Sequence, residues 1–178
     1  MSRYRRSNLG GAIYFFTVNL ANRQSDLLTQ QIDRLRRAYR KANAAQPFET
    51  VAICVLPDHL HAIWTLPPDD ADFATRWLMI KRNFSIGLPP ATSRTPSKIA
   101  KREKGIWQRR YWEHLIRDET DLARHVDYVH YNPVKHGLVE RVADWPHSSF
   151  HRYVNDGILN ETWAISMKDV DDDFGERA

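Results

Sequence analysis

From Ala12 to Leu20 (AIYFFTVNL) nearly every residue is aromatic, aliphatic or β-branched, a pattern that predicts a strand buried on both faces. Ser25 or Asp26 then offers a cap for a helix in which Leu27, Leu28, Ile32, Leu35 and Tyr39 recur at helical spacing. Arg34, Arg36, Arg37, Arg40 and Lys41 fall on its other faces, and Pro47 ends it. Thr50 to Leu56 (TVAICVL) and His59 to Leu66 (HLHAIWTL) read as two strands joined by a Pro57-Asp58 turn, hence an antiparallel hairpin. Phe73, Trp77, Ile80 and Phe84 mark a second helix. The prolines and glycines between Gly87 and Gly105 predict a mobile loop. Ile106 to Ile116 (IWQRRYWEHLI) returns to strand, and a third helix opens at Asp118 or Glu119 and stops near Asn132-Pro133. The stretch from Asp144 onward is less regular. An order of β-α-β-β-α-β plus a further helix is that of an α+β, ferredoxin-like antiparallel sheet with two helices on one face.

Charge adds a polarity along the chain. The 178 residues carry 26 Lys+Arg against 22 Asp+Glu, a net +4. Residues 1–110 hold 19 basic and 8 acidic side chains, and residues 111–178 hold 7 and 14. A front at +11 and a rear at −7 suggest a polyanion-binding part followed by an acidic one. The single Cys54 excludes a disulfide framework and a structural zinc site of several cysteines. No apolar run reaches the roughly 18 residues of a membrane span, and the opening Met-Ser-Arg-Tyr-Arg-Arg lacks a signal core. A cytoplasmic protein without a membrane partner is therefore expected.

Two groups of residues offer chemistry. His59 and His61 flank Leu60 on a predicted strand, so both imidazoles share one face and can approach a single divalent ion. Two nitrogens completed by oxygen ligands suit Mg2+ or Mn2+ better than structural zinc. The same spacing also fits two histidines hydrogen-bonded at a hairpin edge. On the third helix, Leu122, Val126 and Val129 form the stripe expected to face the sheet. Asp121, His125, Tyr128 and Asn132 lie together on a neighbouring stripe. A phenol is a poor nucleophile at its free pKa of about 10, but it serves phosphoryl transfer when a metal polarises the phosphate. An amphipathic helix that merely exposes Tyr, His and Asn has the same pattern.

Leu56-Pro57-Asp58-His59-Leu60-His61 followed by Tyr128-Val129-His130-Tyr131-Asn132-Pro133-Val134-Lys135-His136-Gly137-Leu138-Val139 resembles the HUH-type single-tyrosine transposases, and within them the REP-associated tyrosine transposase branch. Tyr4-Arg5-Arg6, Phe15-Phe16-Thr17-Val18-Asn19-Leu20, Ile106 to His114 and Asp144-Trp145-Pro146-His147-Ser148-Ser149 extend the likeness to about Tyr153. The resemblance implies a transposase-like domain over residues 1–153 and a C-terminal acidic tail over 154–178. It further implies a metal-dependent endonuclease and strand transferase acting on single-stranded DNA at REP-type hairpins. His59 and His61 would hold Mg2+ or Mn2+, and Tyr128 would form a 5′-phosphotyrosine. Asn132 stands where related transposases carry a Gln that completes the metal site. The bacterial nucleoid would be its place of work.

For DNA contact the candidates are Arg3, Arg5, Arg6, Arg36, Arg37, Lys81, Arg82, Arg109 and Arg110. Trp77, Trp107, Trp112 and Trp145 are candidates for base stacking, against the alternative of core packing. Two other functions compete. One is a catalytically silent REP-hairpin-binding regulator, which intact His59, His61 and Tyr128 do not favour. The other is an RNA-binding ferredoxin-like module, which requires aromatic residues open on the central strands. The acidic residues Asp169, Asp171, Asp172, Asp173 and Glu176 are expected to form either a solubilising end or a segment lying over the basic groove.

Overall fold

Four strands build one antiparallel sheet: β1 (Ile13–Asn19), β2 (Glu49–Val55), β3 (His59–Thr65) and β4 (Trp112–Leu115), in the spatial order β2-β3-β1-β4. The helices are α1 (Leu27–Gln30), α2 (Ile32–Ala45), α3 (Phe73–Ser85), α4 (Pro96–Ala100), α5 (Glu119–Lys135) and α6 (Phe150–Asn155), with a 3-10 turn at Val142–Asp144. These come from a computed structural model that describes residues 9–164. Arg3, Arg5, Arg6 and the acidic residues from Asp169 onward lie outside the described residues. The strand order and the two crossovers are those of the expected α+β, ferredoxin-like fold.

Alternation along the two central strands separates two interiors. Tyr14, Phe16 and Val18 of β1 and Leu60, Ala62 and Trp64 of β3 pack under α2 and α3. There Trp64 stacks on Trp77 with centroids 4.2 Å apart, and its Nε1 donates to the Tyr39 hydroxyl at 2.6 Å. The opposite face carries Phe15 and Ile63, with Ala52 and Cys54 from β2, beneath Tyr128 and Val129 of α5. Register places Thr17 beside His61 and Asn19 beside His59 on this second face. Both faces are therefore covered, and Tyr14, Phe15 and Phe16 are all buried. That removes the open aromatic platform an RNA-binding module requires.

A buried arginine ties the first interior to its rim. Arg76, 1% exposed, makes a two-pronged pair with Asp70 at 3.0 and 2.6 Å. The same guanidinium donates to the carbonyls of Asp72, Gln46 and Pro47. Its bonds hold the Asp70 carboxyl below the usual carboxylate range.

Several elements differ from the sequence expectation. The first helix is divided at Gln31. The expected loop contains α4, capped by Thr95 with Pro96 in its first turn. Strand pairing in 106–116 is confined to Trp112–Leu115, with Trp107 making only an isolated bridge to Leu20. Upstream of it, the Lys104 ammonium donates to the Ser85 and Leu88 carbonyls and Lys81 to the Gln108 carbonyl, drawing the segment towards α3. Helix α5 runs two residues past Pro133, and then closes with backbone bonds from His136 to Asn132, Gly137 to Val134 and Leu138 to Pro133. Gly137 takes φ +65°, the left-handed turn that ends a helix. The stretch after Asp144 is ordered against β2: Val55 N donates to His147 O and Ser149 N to Ile53 O, both at 2.8 Å. The expected domain boundary at 153 falls inside α6.

Candidate functional site

β3 places His59 and His61 on the α5 side of the sheet, each at most 1% exposed, with ring centroids 5.0 Å apart. Each imidazole is held through Nδ1. That of His59 donates to the Asp58 carboxylate at 2.7 Å, and Asp58 in turn pairs with Arg23 at 3.0 Å. That of His61 meets the Thr17 hydroxyl at 2.9 Å across the β1–β3 register. Burial pushes the His59 pKa down, outweighing the pull of Asp58. Burial would raise the Asp58 carboxyl, but the bond to His59 and the charges of His59 and Arg23 hold it below the usual range. The second nitrogen of His59, Nε2, is buried and without a hydrogen-bond partner. An orphaned ring nitrogen whose opposite nitrogen is oriented by a carboxylate is the arrangement of a metal-ligating histidine. The donor set therefore fits a divalent cation.

Helix α5 brings the second group. Asp118 caps its first turn, accepting from Asp121 N at 2.8 Å. Tyr128, 1% exposed, lies edge-on to His61 with centroids 5.2 Å apart, and Phe15 packs against both rings. Asn132, fully buried, follows Tyr128 by one turn on the same stripe. The Lys135 ammonium donates to the Tyr128 hydroxyl at 3.4 Å and sits 4.7 Å from the ring centroid. His136 packs on His59 with centroids 5.1 Å apart, beside a cleft of about 260 Å3 that also reaches Arg23 and Asp58.

The expected stripe does face the sheet, with Val129 fully buried and Leu122 and Val126 packed against the same core, but the neighbouring polar stripe is buried as well. Asp121, His125, Tyr128 and Asn132 are buried, whereas Leu122 and Val126 are only half-buried. Polar side chains point inward because the sheet face below them carries Thr17, Asn19, His59 and His61 beside its apolar residues. A second group of ligand type, His114, Asp121 and His125, joins β4 to the first turns of α5. Its carboxylate oxygen Oδ2 already accepts from His114 at 2.8 Å and Arg117 at 2.9 Å, so a cation there would face the Arg117 guanidinium. Burial works against the Asp121 charge, but the bonds from Arg117 and His114 overcome it and hold the carboxyl well below its usual range.

The DNA-contact candidates are dispersed. Arg37, Arg82 and Arg110 are exposed, Arg36 is exposed beside Asp33, and Arg109 bonds Glu103 and Ser97. Lys81 is half-buried, 5.1 Å from the Tyr111 ring and 5.9 Å from that of Trp107, and burial lowers its pKa to about 8. Lys81, Arg82, Lys104 and Arg109 line a cleft of about 600 Å3 between α3 and the 103–109 segment. Trp77 and Trp107 are buried in the core, and Trp145 donates to Val55 O. Sequence reasoning missed Thr17 and Lys135. A threonine inside an otherwise apolar buried strand is the signal for the first. Lys135, seven residues after Tyr128 on the same helix, is the signal for the second.

No protein-family model matches the chain. It is 48% identical to the REP-associated tyrosine transposase of Escherichia coli, over 99% of this chain and 98% of that protein. A Haemophilus influenzae protein described under the same family name is 51% identical over 92% of this chain and 94% of its own length. A solved structure of the REP-associated tyrosine transposase bound to a REP hairpin superposes with a TM-score of 0.85 at 48% identity, covering 100% of this chain and 99% of the other.

Proposed function

The chain belongs to the REP-associated tyrosine transposases, and from that premise we propose that it cuts and rejoins single-stranded DNA at REP-type hairpins through a covalent link to Tyr128. The observation that carries this reading is the meeting of His59, His61 and Tyr128 on one buried sheet face, with successive centroids 5.0 and 5.2 Å apart. The hairpin in the related solved structure supports the choice of substrate.

Tyr128 Oη attacks the scissile phosphorus, an Oη–P bond forms, the P–O3′ bond breaks, and the 3′-oxygen gains the proton that the phenol gives up. The products are a 5′-phosphotyrosine and a free 3′-hydroxyl. One phosphodiester replaces another, so the reverse step rejoins strands without ATP. His59 and His61 would hold Mg2+ or Mn2+, with Asn132 as the oxygen ligand from α5. Such an ion, when bound, supplies Lewis-acid polarisation and charge neutralisation at the phosphate. Asp58 and Thr17 fix the two imidazoles so that no reorientation is needed. Because Tyr128 is buried, a phosphate reaches it only where the covering side chains give way. Arg36, Arg37, Lys81, Arg82, Arg109 and Arg110, with Arg3, Arg5 and Arg6, supply the phosphate contacts. Residues 1–153 carry the chemistry, and the acidic 154–178 segment is accessory to it.

The purified protein, Mn2+ and a labelled single strand bearing a REP-type hairpin should give a protein-linked band on a denaturing gel. Tyr128→Phe and His61→Ala should lose it. Tight hairpin binding with neither adduct nor cleavage, across several REP sequences, would instead identify a silent regulator.

A further inference from the structure

Lys135 stands in the last turn of α5, which backbone amides close. The last carbonyls of α5 are already taken by the backbone amides of His136, Gly137 and Leu138. Its ammonium runs back two turns, donating to the hydroxyl of Tyr128 and lying over one face of that ring. The imidazole of His61 stands against the same ring edge-on. The phenol is thus set between a metal-ligand imidazole and a primary ammonium. A fixed cation at the atom where a bond to phosphorus forms is a preorganised charge, in place before negative charge gathers there.

We propose that Lys135 is a catalytic residue of strand transfer, its ammonium aiming the Tyr128 oxygen and offsetting the charge on the phosphoryl group as the Oη–P bond forms. The inference rests on Tyr128 as the nucleophile. Lys135 takes no part in the proton exchange. In the forward step the Oη–P bond replaces the P–O3′ bond, and the proton lost by the phenol is balanced by the one gained at the 3′-oxygen. In rejoining the exchange runs backwards, and the same ammonium faces the departing phenolate. One cation therefore serves both directions.

Single-turnover cleavage by the full chain, at saturating enzyme and Mn2+, tests this with Lys135→Met, Lys135→Arg and Tyr128→Phe, alongside thermal unfolding and hairpin binding. Lys135→Met should bind the hairpin within about twofold of the parent and cleave and rejoin about ten- to a hundredfold more slowly. Lys135→Arg, which keeps the charge, should recover most of the rate. Lys135→Met cleaving at the parent rate overturns the inference while leaving Tyr128 in place. A folded Lys135→Arg as slow as Lys135→Met overturns it as well, because packing and not charge would then be at stake. An adduct that persists in Tyr128→Phe removes the nucleophile, and with it the proposed function.

Discussion

Replacing Thr17 by valine removes one hydroxyl from the interior and changes little else in shape. Thr17 and His61 are both fully buried, and their bond of 2.9 Å fixes the imidazole through Nδ1. Without it, His61 Nδ1 faces a methyl group in place of the hydroxyl. Losing a buried hydrogen bond and leaving one partner unsatisfied costs about 1–3 kcal/mol of stability. In a chain of this size that lowers Tm by a few to about 10 °C. The bond also sets the ring orientation, and loss of such an outer support weakens metal binding about 10–100-fold. That range corresponds to about 1.4–2.8 kcal/mol, comparable with the stability loss, as expected if both come from one bond. Calorimetric titration with Mn2+ and urea unfolding read the two effects separately, and Thr17→Ser should retain most of both. An unchanged Mn2+ affinity in a destabilised Thr17→Val would refute the reasoning, since the hydroxyl would then serve packing alone.

Arg76→Met should lose about 1–3 kcal/mol in urea unfolding, because it takes the donor from the carbonyls of Gln46, Pro47 and Asp72; a loss under about 1 kcal/mol would mean that these groups are satisfied without it. Burial lowers the pKa of His130 to about 3, so the unfolded chain takes up a proton below pH 6.5 that the folded one refuses. Its contribution is complete above pH 6.5 and is withdrawn towards pH 3, by up to about 1.4 kcal/mol per pH unit, a limb that His130→Gln should flatten in urea titrations at stepped pH. Arg82→Ala and Arg110→Ala should each weaken hairpin binding and reduce the slope of log K against log salt by about 1, and a parent-like slope would take that residue off the phosphate path.

The order of elements could be read from the chain because apolar alternation and helical spacing are local. So could the shared face of His59 and His61, which follows from strand geometry alone. The burial of the polar stripe of α5 could not. Helical periodicity ranks Leu122 and Val126 above Tyr128 and Asn132 as buried positions, since it assumes an apolar surface opposite. Here the opposing surface mixes Phe15, Ala52, Cys54 and Ile63 with Thr17, Asn19, His59 and His61, so a polar stripe is buried beside the apolar one. Trp107 to Tyr111 misled for a related reason. Their aromatic content reads as strand, yet Lys81 and Lys104 bind this segment to α3 through contacts more than ten residues apart. The Lys135–Tyr128 contact needs both the length of α5 and the direction in which a lysine side chain folds back, neither of which a motif conveys.

The segment after Asp144 has a consequence for how the molecule keeps company. β2 is an outer strand, and an uncovered outer strand is adhesive, ready to recruit another chain's backbone. Here His147 O accepts from the Val55 amide, Ser149 takes both the amide and the carbonyl of Ile53, and Trp145 takes the Val55 carbonyl. Arg152 takes the carbonyls of Thr50 and Val51, and the Tyr153 hydroxyl also reaches that of Val51. A short strip near the end of the described chain thus seals a border that lies some hundred positions earlier. Shortening the chain at residue 146 would reopen that border and leave the backbone of β2 open to another chain.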